Sequence, residues 1–79
     1  MSLKELAEEY NMKLSTLEKE ANLPLNSIYK YNKGIITPNI ETCVKIANAL
    51  HINWQIVVSL FYYDIINSNT EILIKDNLT

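Results

Sequence analysis

No arginine occurs in these 79 residues, glycine appears once, proline twice, and cysteine and histidine once each. Each scarcity closes off a class of answer. Without arginine there is no planar guanidinium fork, so the cationic contacts to phosphate or carboxylate come only from the point charges of lysine. A lone Cys43 cannot close an intrachain disulfide. With His51 as the single histidine it cannot build a zinc shell either, so no metal and no cofactor is expected. The same poverty of nucleophile, base and convergent carboxylates argues against an enzyme. Few glycines and prolines rule out the many tight turns of a strand-rich fold, and plentiful Ala, Leu, Ile, Lys and Glu favour an all-α chain. No window reaches the roughly 18 apolar residues of a membrane span, and no basic stretch leads into an apolar run at the N-terminus. The expectation is a soluble, cytoplasmic protein.

What is present is a 48% hydrophobic chain long enough for one domain with a modest core. Its formal charge of −2 is spread unevenly. Residues 1–20 hold three lysines against five glutamates, and residues 51–79 hold one lysine against three acids. Residues 21–50 reverse the balance, with three lysines against one glutamate. The total is unfavourable for binding an anionic partner but decides little by its sign alone, because the middle third is locally positive; any such affinity is expected to be modest and strongly salt-dependent.

Taken in order, Ser2-Leu3-Lys4-Glu5 has the form of a capping box. Leu3, Leu6, Ala7 and Tyr10 then follow at helical spacing, which predicts a first helix over Leu3 to Tyr10 with Glu5, Glu8 and Glu9 on its solvated face. A second helix is placed at Leu14 to Glu20. Its start is ambiguous, because Ser15-Thr16-Leu17-Glu18 is itself a capping box while Leu14 has the spacing of the apolar face. Asn22 ends it by tolerating the left-handed conformation. Pro24 suits the first turn of a third helix, Leu25 to Lys33, which Gly34 closes. Asn39 caps a fourth helix with Ile40, Cys43, Val44, Ala47 and Leu50 as its inner stripe, and His51 stands at its left-handed terminus. Asn53 caps a fifth, from Trp54 to about Tyr63.

That last helix carries apolar residues on more than one side. Trp54, Val58, Phe61 and Tyr62 are therefore candidates for a dimer contact, with ordinary core for one subunit as the alternative. After Asn67-Ser68-Asn69, the segment TEILIK places Ile72 and Ile74 on one side of a short strand that could pair with its copy in a second subunit; a helical extension or a tail are the alternatives. The chain thus divides into a domain over 1–66 and an extension over 67–79.

The centre of this organisation is Leu14 to Gly34: two short helices about a tight turn. Leu17, Ala21, Ile28 and Tyr31 point inward, and Asn26, Ser27, Lys30 and Lys33 form an outer row with no acid between Asn22 and Lys33. A short helix with such a row fits the major groove of double-stranded DNA.

Leu17, Asn22, Ile28, Gly34, Pro38, Glu41-Thr42, Ala47, Ala49-Leu50 and Ile52 all fall in one pattern, in which G-x-x-x-P followed by E-T and A-x-A-L is the most specific part. On these residues the segment Met12 to Val58 resembles the Cro/CI-type, lambda-repressor-like helix-turn-helix family. The resemblance implies a compact five-helix domain, dimeric on a two-fold symmetric operator and usually repressing transcription in bacteria, phages or mobile elements. Carried over by position, it implies that Leu25, Asn26, Tyr29 and Lys30 reach base edges, with Asn26 suited to adenine and Lys30 to guanine. It also implies that Lys13, Leu14, Ser27, Lys33 and Thr37 lie on the phosphate side. Three positions depart from the pattern. Leu14 replaces a usual glutamine, and Ile35 and Ile36 replace a usual basic pair. Glu18 replaces a small alanine, which implies a looser turn or a carboxylate that escapes to solvent.

The leading expectation is a sequence-specific DNA-binding regulator acting as a homodimer. The alternative is a protein-interaction module on the same fold, antitoxin-like or a phage-encoded inhibitor, favoured by the acidic balance, the missing arginine and the apolar C-terminal third.

Overall fold

The computed structural model describes residues 1–63. The helices are α1 (Leu3–Glu9), α2 (Leu14–Glu20), α3 (Ser27–Lys33), α4 (Ile40–Leu50) and α5, which covers 54–63 up to the end of the described residues. No strand occurs among the described residues, in keeping with the all-α expectation. The extension with Ile72 and Ile74, and the strand expected there, lie outside them.

Four of the five helices are shorter than the length at which an isolated helix holds in water, so their stability comes from packing on one core. That core is made of Leu3, Leu6, Ala7, Leu14, Leu17, Ile28, Cys43, Ile46, Ala47, Leu50 and Val57, one stripe from each helix. Val44, expected in the inner stripe of α4, is only half-buried and outside this core, and two further expectations need correction. Ile40 is 50% exposed and Ile46 takes the core position instead, because the buried stripe of α4 runs 43, 46, 47, 50 and so starts one turn later. The third helix begins at Ser27 rather than Leu25: Pro24, Leu25 and Asn26 belong to the turn before it.

With one glycine available, the chain makes its corners by another route. Asn11, Asn22, Asn26 and His51 join Gly34 at positive φ, so every joint between successive helices holds a left-handed residue. The hydrogen bonding at four of these corners is the same. The left-handed residue donates its N–H to a carbonyl three back (Asn11 to Glu8, Asn22 to Lys19, Gly34 to Tyr31, His51 to Asn48). The next residue donates to one five back (Met12 to Ala7, Leu23 to Glu18, Ile35 to Lys30, Ile52 to Ala47). This pair of bonds is the Schellman arrangement, in which an apolar residue normally follows and packs back. Met12, Leu23 and Ile52 do pack against the core. Ile35 does not; it is 68% exposed.

Starts are capped as the local chemistry predicts at three places. Ser2 Oγ accepts from the Glu5 amide, Asn39 Oδ1 from the Thr42 amide, and Asn53 Oδ1 from the Gln55 amide. The start of α2 has no side-chain cap, so Ser15 and Glu18 do not act as the capping box their spacing suggested.

Candidate nucleic-acid interface

The exposed face of α3 follows from its core face. Ile28 is fully buried and Tyr31 partly so, which at 100° per residue leaves positions 26, 29, 30 and 33 together on the opposite side. Asn26, Tyr29, Lys30 and Lys33 are all exposed there, and Ser27 is half-buried at the edge. Leu25, at the tip of the preceding turn, is 85% exposed and is the most exposed large apolar side chain among the described residues.

The turn itself is sharply defined. Ser27 donates its backbone N–H to the Pro24 carbonyl at 3.1 Å and its hydroxyl to the same oxygen at 2.7 Å. Asn26, third in this four-residue turn, has φ 68° and ψ 1°, the signature of a type II turn at a position open to asparagine. Asn26 makes no side-chain cap to its own helix.

That cap comes from α2 instead. Glu18 is only 6% exposed, and its carboxylate spans the gap to α3. Oε1 accepts from the Asn26 amide and Oε2 from the Ile28 amide, each at 3.1 Å. The expected looser turn or escaping carboxylate is therefore corrected: the side chain lies inside, with both oxygens bonded. The other end of α3 is fastened too, since Asn32 Oδ1 accepts from the Lys4 amide of α1 at 2.9 Å. Sequence reasoning assigned neither role. The one signal available for Glu18 was an acid where the family pattern has alanine.

The remaining candidates are dispersed. Lys13 and Thr37 are exposed, Leu14 is buried, and Lys13, Leu14 and Tyr29 share a cleft of about 390 Å³ whose wall also includes Lys4 and Asn32. Leu14 thus turns its side chain into the core and leaves only its backbone for any contact outside. Thr37 lies away from this cleft in the α3–α4 loop, next to Pro38. The Pro38 carbonyl accepts from the Tyr62 hydroxyl at 2.6 Å and faces the Cys43 thiol at 3.9 Å. Of the residues named for a dimer contact and lying among the described residues, Val58, Phe61 and Tyr62 pack partly against the core of their own chain, while Trp54 is 46% exposed. Burial pushes the Cys43 thiol pKa up. Among the described residues no cluster of His, Cys, Asp or Glu could hold a metal ion, and no helix is long and apolar enough to cross a membrane.

Comparison with known proteins points the same way as the geometry. An HTH-type transcriptional regulatory protein, so named, of Methanothermobacter thermautotrophicus is similar to this chain, with 32% identity over 60 residues. The alignment covers 76% of this chain but 19% of that protein, so the chain spans about a fifth of its relative's length. No solved structure matches. The family model described as helix-turn-helix matches residues 3–57, which takes in α1 to α4 and the start of α5. With two short helices about a left-handed corner, and the second held by the first, the chain belongs to the helix-turn-helix family.

Proposed function

We propose that this chain is a sequence-specific DNA-binding transcriptional regulator, a repressor that binds an inverted-repeat operator as a homodimer. The observation that carries the reading is the outer face of α3, where Asn26, Tyr29, Lys30 and Lys33 stand exposed, with no acid in the sequence from Asn22 to Lys33 and the Glu18 carboxylate turned inward onto backbone amides. In this reading α3 enters the major groove, Leu25, Asn26, Tyr29 and Lys30 meet base edges, and Lys13, Lys33 and Thr37 meet phosphates, joined by Ser27 only when its hydroxyl turns away from the Pro24 carbonyl. Lysine in place of arginine gives point-charge contacts to phosphate and no bidentate grip on guanine, which favours salt-sensitive binding. A second copy, joined through Trp54, Val58, Phe61, Tyr62, Ile72 and Ile74, would set the half-sites about one helical turn apart.

Selection from a random duplex library at low salt, followed by salt titration, tests this. An enriched inverted repeat is expected, and failure to enrich any motif would count decisively against the reading. Within it, Asn26→Gly removes the side-chain amide while tolerating the left-handed backbone, so it should cost about 1–3 kcal/mol at one base position. Lys33→Ala should weaken all sequences alike and flatten the salt dependence by about one phosphate contact.

A second reading, a protein-interaction module, is favoured by one feature. Ile35, Ile36 and Ile40 are 68%, 48% and 50% exposed around a single loop, more apolar surface than a phosphate-facing loop needs. Retention of a protein partner without any DNA retention would favour it.

A further inference from the structure

A helix-capping asparagine and a base-reading asparagine compete for the same side chain. An N-cap Asn normally turns its amide oxygen onto the free N–H groups of its own first turn, which takes it out of play for any outside partner. Asn26 occupies that cap position at the start of α3, yet its side chain makes no such bond. The amides are met from elsewhere, by the two carboxylate oxygens of Glu18 at 3.1 Å each.

We propose that Glu18 is a positioning residue for base recognition: by capping α3 from α2 it frees the Asn26 side chain and holds the Pro24–Ser27 turn so that Leu25 and Asn26 face outward. This rests on the DNA-binding reading above and adds to it the residue on which selectivity at one base position depends. Glu18 touches no base. The residue is 6% exposed, and its two bonds join the turn (Asn26) to the helix (Ile28) across the left-handed Asn26. An alanine at this position would leave both amides open. On this proposal the Asn26 carboxamide then folds back onto the Ile28 amide of its own helix and leaves the interface. Glutamine is intermediate, since it offers one acceptor oxygen and sets an NH₂ donor against the other amide.

The test uses the whole chain. In the wild type, hydrogen exchange should show the Asn26 and Ile28 amides protected although they lie at a helix start, where amides ordinarily exchange fast. For Glu18→Ala and Glu18→Gln, melting temperature reports the structural cost. Binding to the selected duplex and to its single-position variants reports the positioning role. A merely structural residue would lower the folded fraction and leave the preference of the folded protein intact. The expected result is a loss of about tenfold in preference at the position read by Asn26, with the salt slope unchanged. A double-mutant cycle sharpens this: in the Asn26→Gly background, replacing Glu18 should have no further effect on base preference. Freely exchanging Asn26 and Ile28 amides in the wild type, an undiminished preference in a folded Glu18 variant, or additive effects in the cycle would each overturn the proposal while leaving the regulator reading standing. A wild type that selects no motif would overturn both.

Discussion

Cys43 shows what burial does to a single side chain here. It is fully enclosed by the core, its thiol is directed at the Pro38 carbonyl, and desolvation raises its pKa. In the unfolded chain the thiol ionises at its ordinary pKa, whereas in the folded chain it stays neutral to higher pH. The stability it contributes is therefore fully present below the unfolded pKa and lost as pH rises through the folded one. Urea titrations on the alkaline side should show the wild type losing stability more steeply than Cys43→Ala, the difference between the two isolating this thiol from the tyrosines and lysines. In the native protein at neutral pH an alkylating reagent should modify Cys43 only as fast as the chain opens.

The helices meet at left-handed corners of which only one is glycine, and each of the others stores some strain. His51→Gly should relieve it without touching the core, and so raise stability by about 0.5–1 kcal/mol after the added freedom of the unfolded glycine is subtracted, measurable as a shifted urea midpoint. The α3–α4 loop offers a second prediction. Ile35 and Ile36 project into solvent where the family resemblance expects basic residues, so the double change Ile35→Lys with Ile36→Lys should tighten DNA binding and steepen the salt slope by up to about two contacts, read from affinity against salt concentration.

Some of these elements can be read from the sequence and others cannot. Asn22, Gly34 and His51 as terminators, and Asn39 and Asn53 as caps, were legible because each acts on backbone within five residues of itself. The start of α3 was not. Pro24 has the chemistry of a first helical residue, and nothing nearby shows that the chain spends three more residues turning before Ser27. The role of Glu18 is hidden for the same reason. Its local pattern with Ser15 is that of a capping box, and only the packing of α2 across α3 aims it at Asn26 and Ile28. Ile46 does not stand out in the sequence because a stripe begun at Ile40 satisfies the same period. In the candidate interface, exposure of Asn26, Tyr29, Lys30 and Lys33 could be foreseen from the burial of Ile28, while the fastening of α3 at both ends could not.

For the molecule as a whole, most bonds are local, and the two that reach farthest among the described side chains join Lys4 to Asn32 and Tyr62 to Pro38, 28 and 24 residues apart. Helical domains wired in this way fold in about a millisecond or less. A temperature-jump relaxation faster than stopped-flow mixing is the expected observation, and a single slow phase would contradict it. The Lys4–Asn32 tie has a further consequence for a chain emerging from the ribosome. α3 gains its second anchor only once Asn32 can return to the Lys4 amide, so a nascent fragment that ends before residue 32 holds α1 and α2 without the tie that fixes the far end of α3.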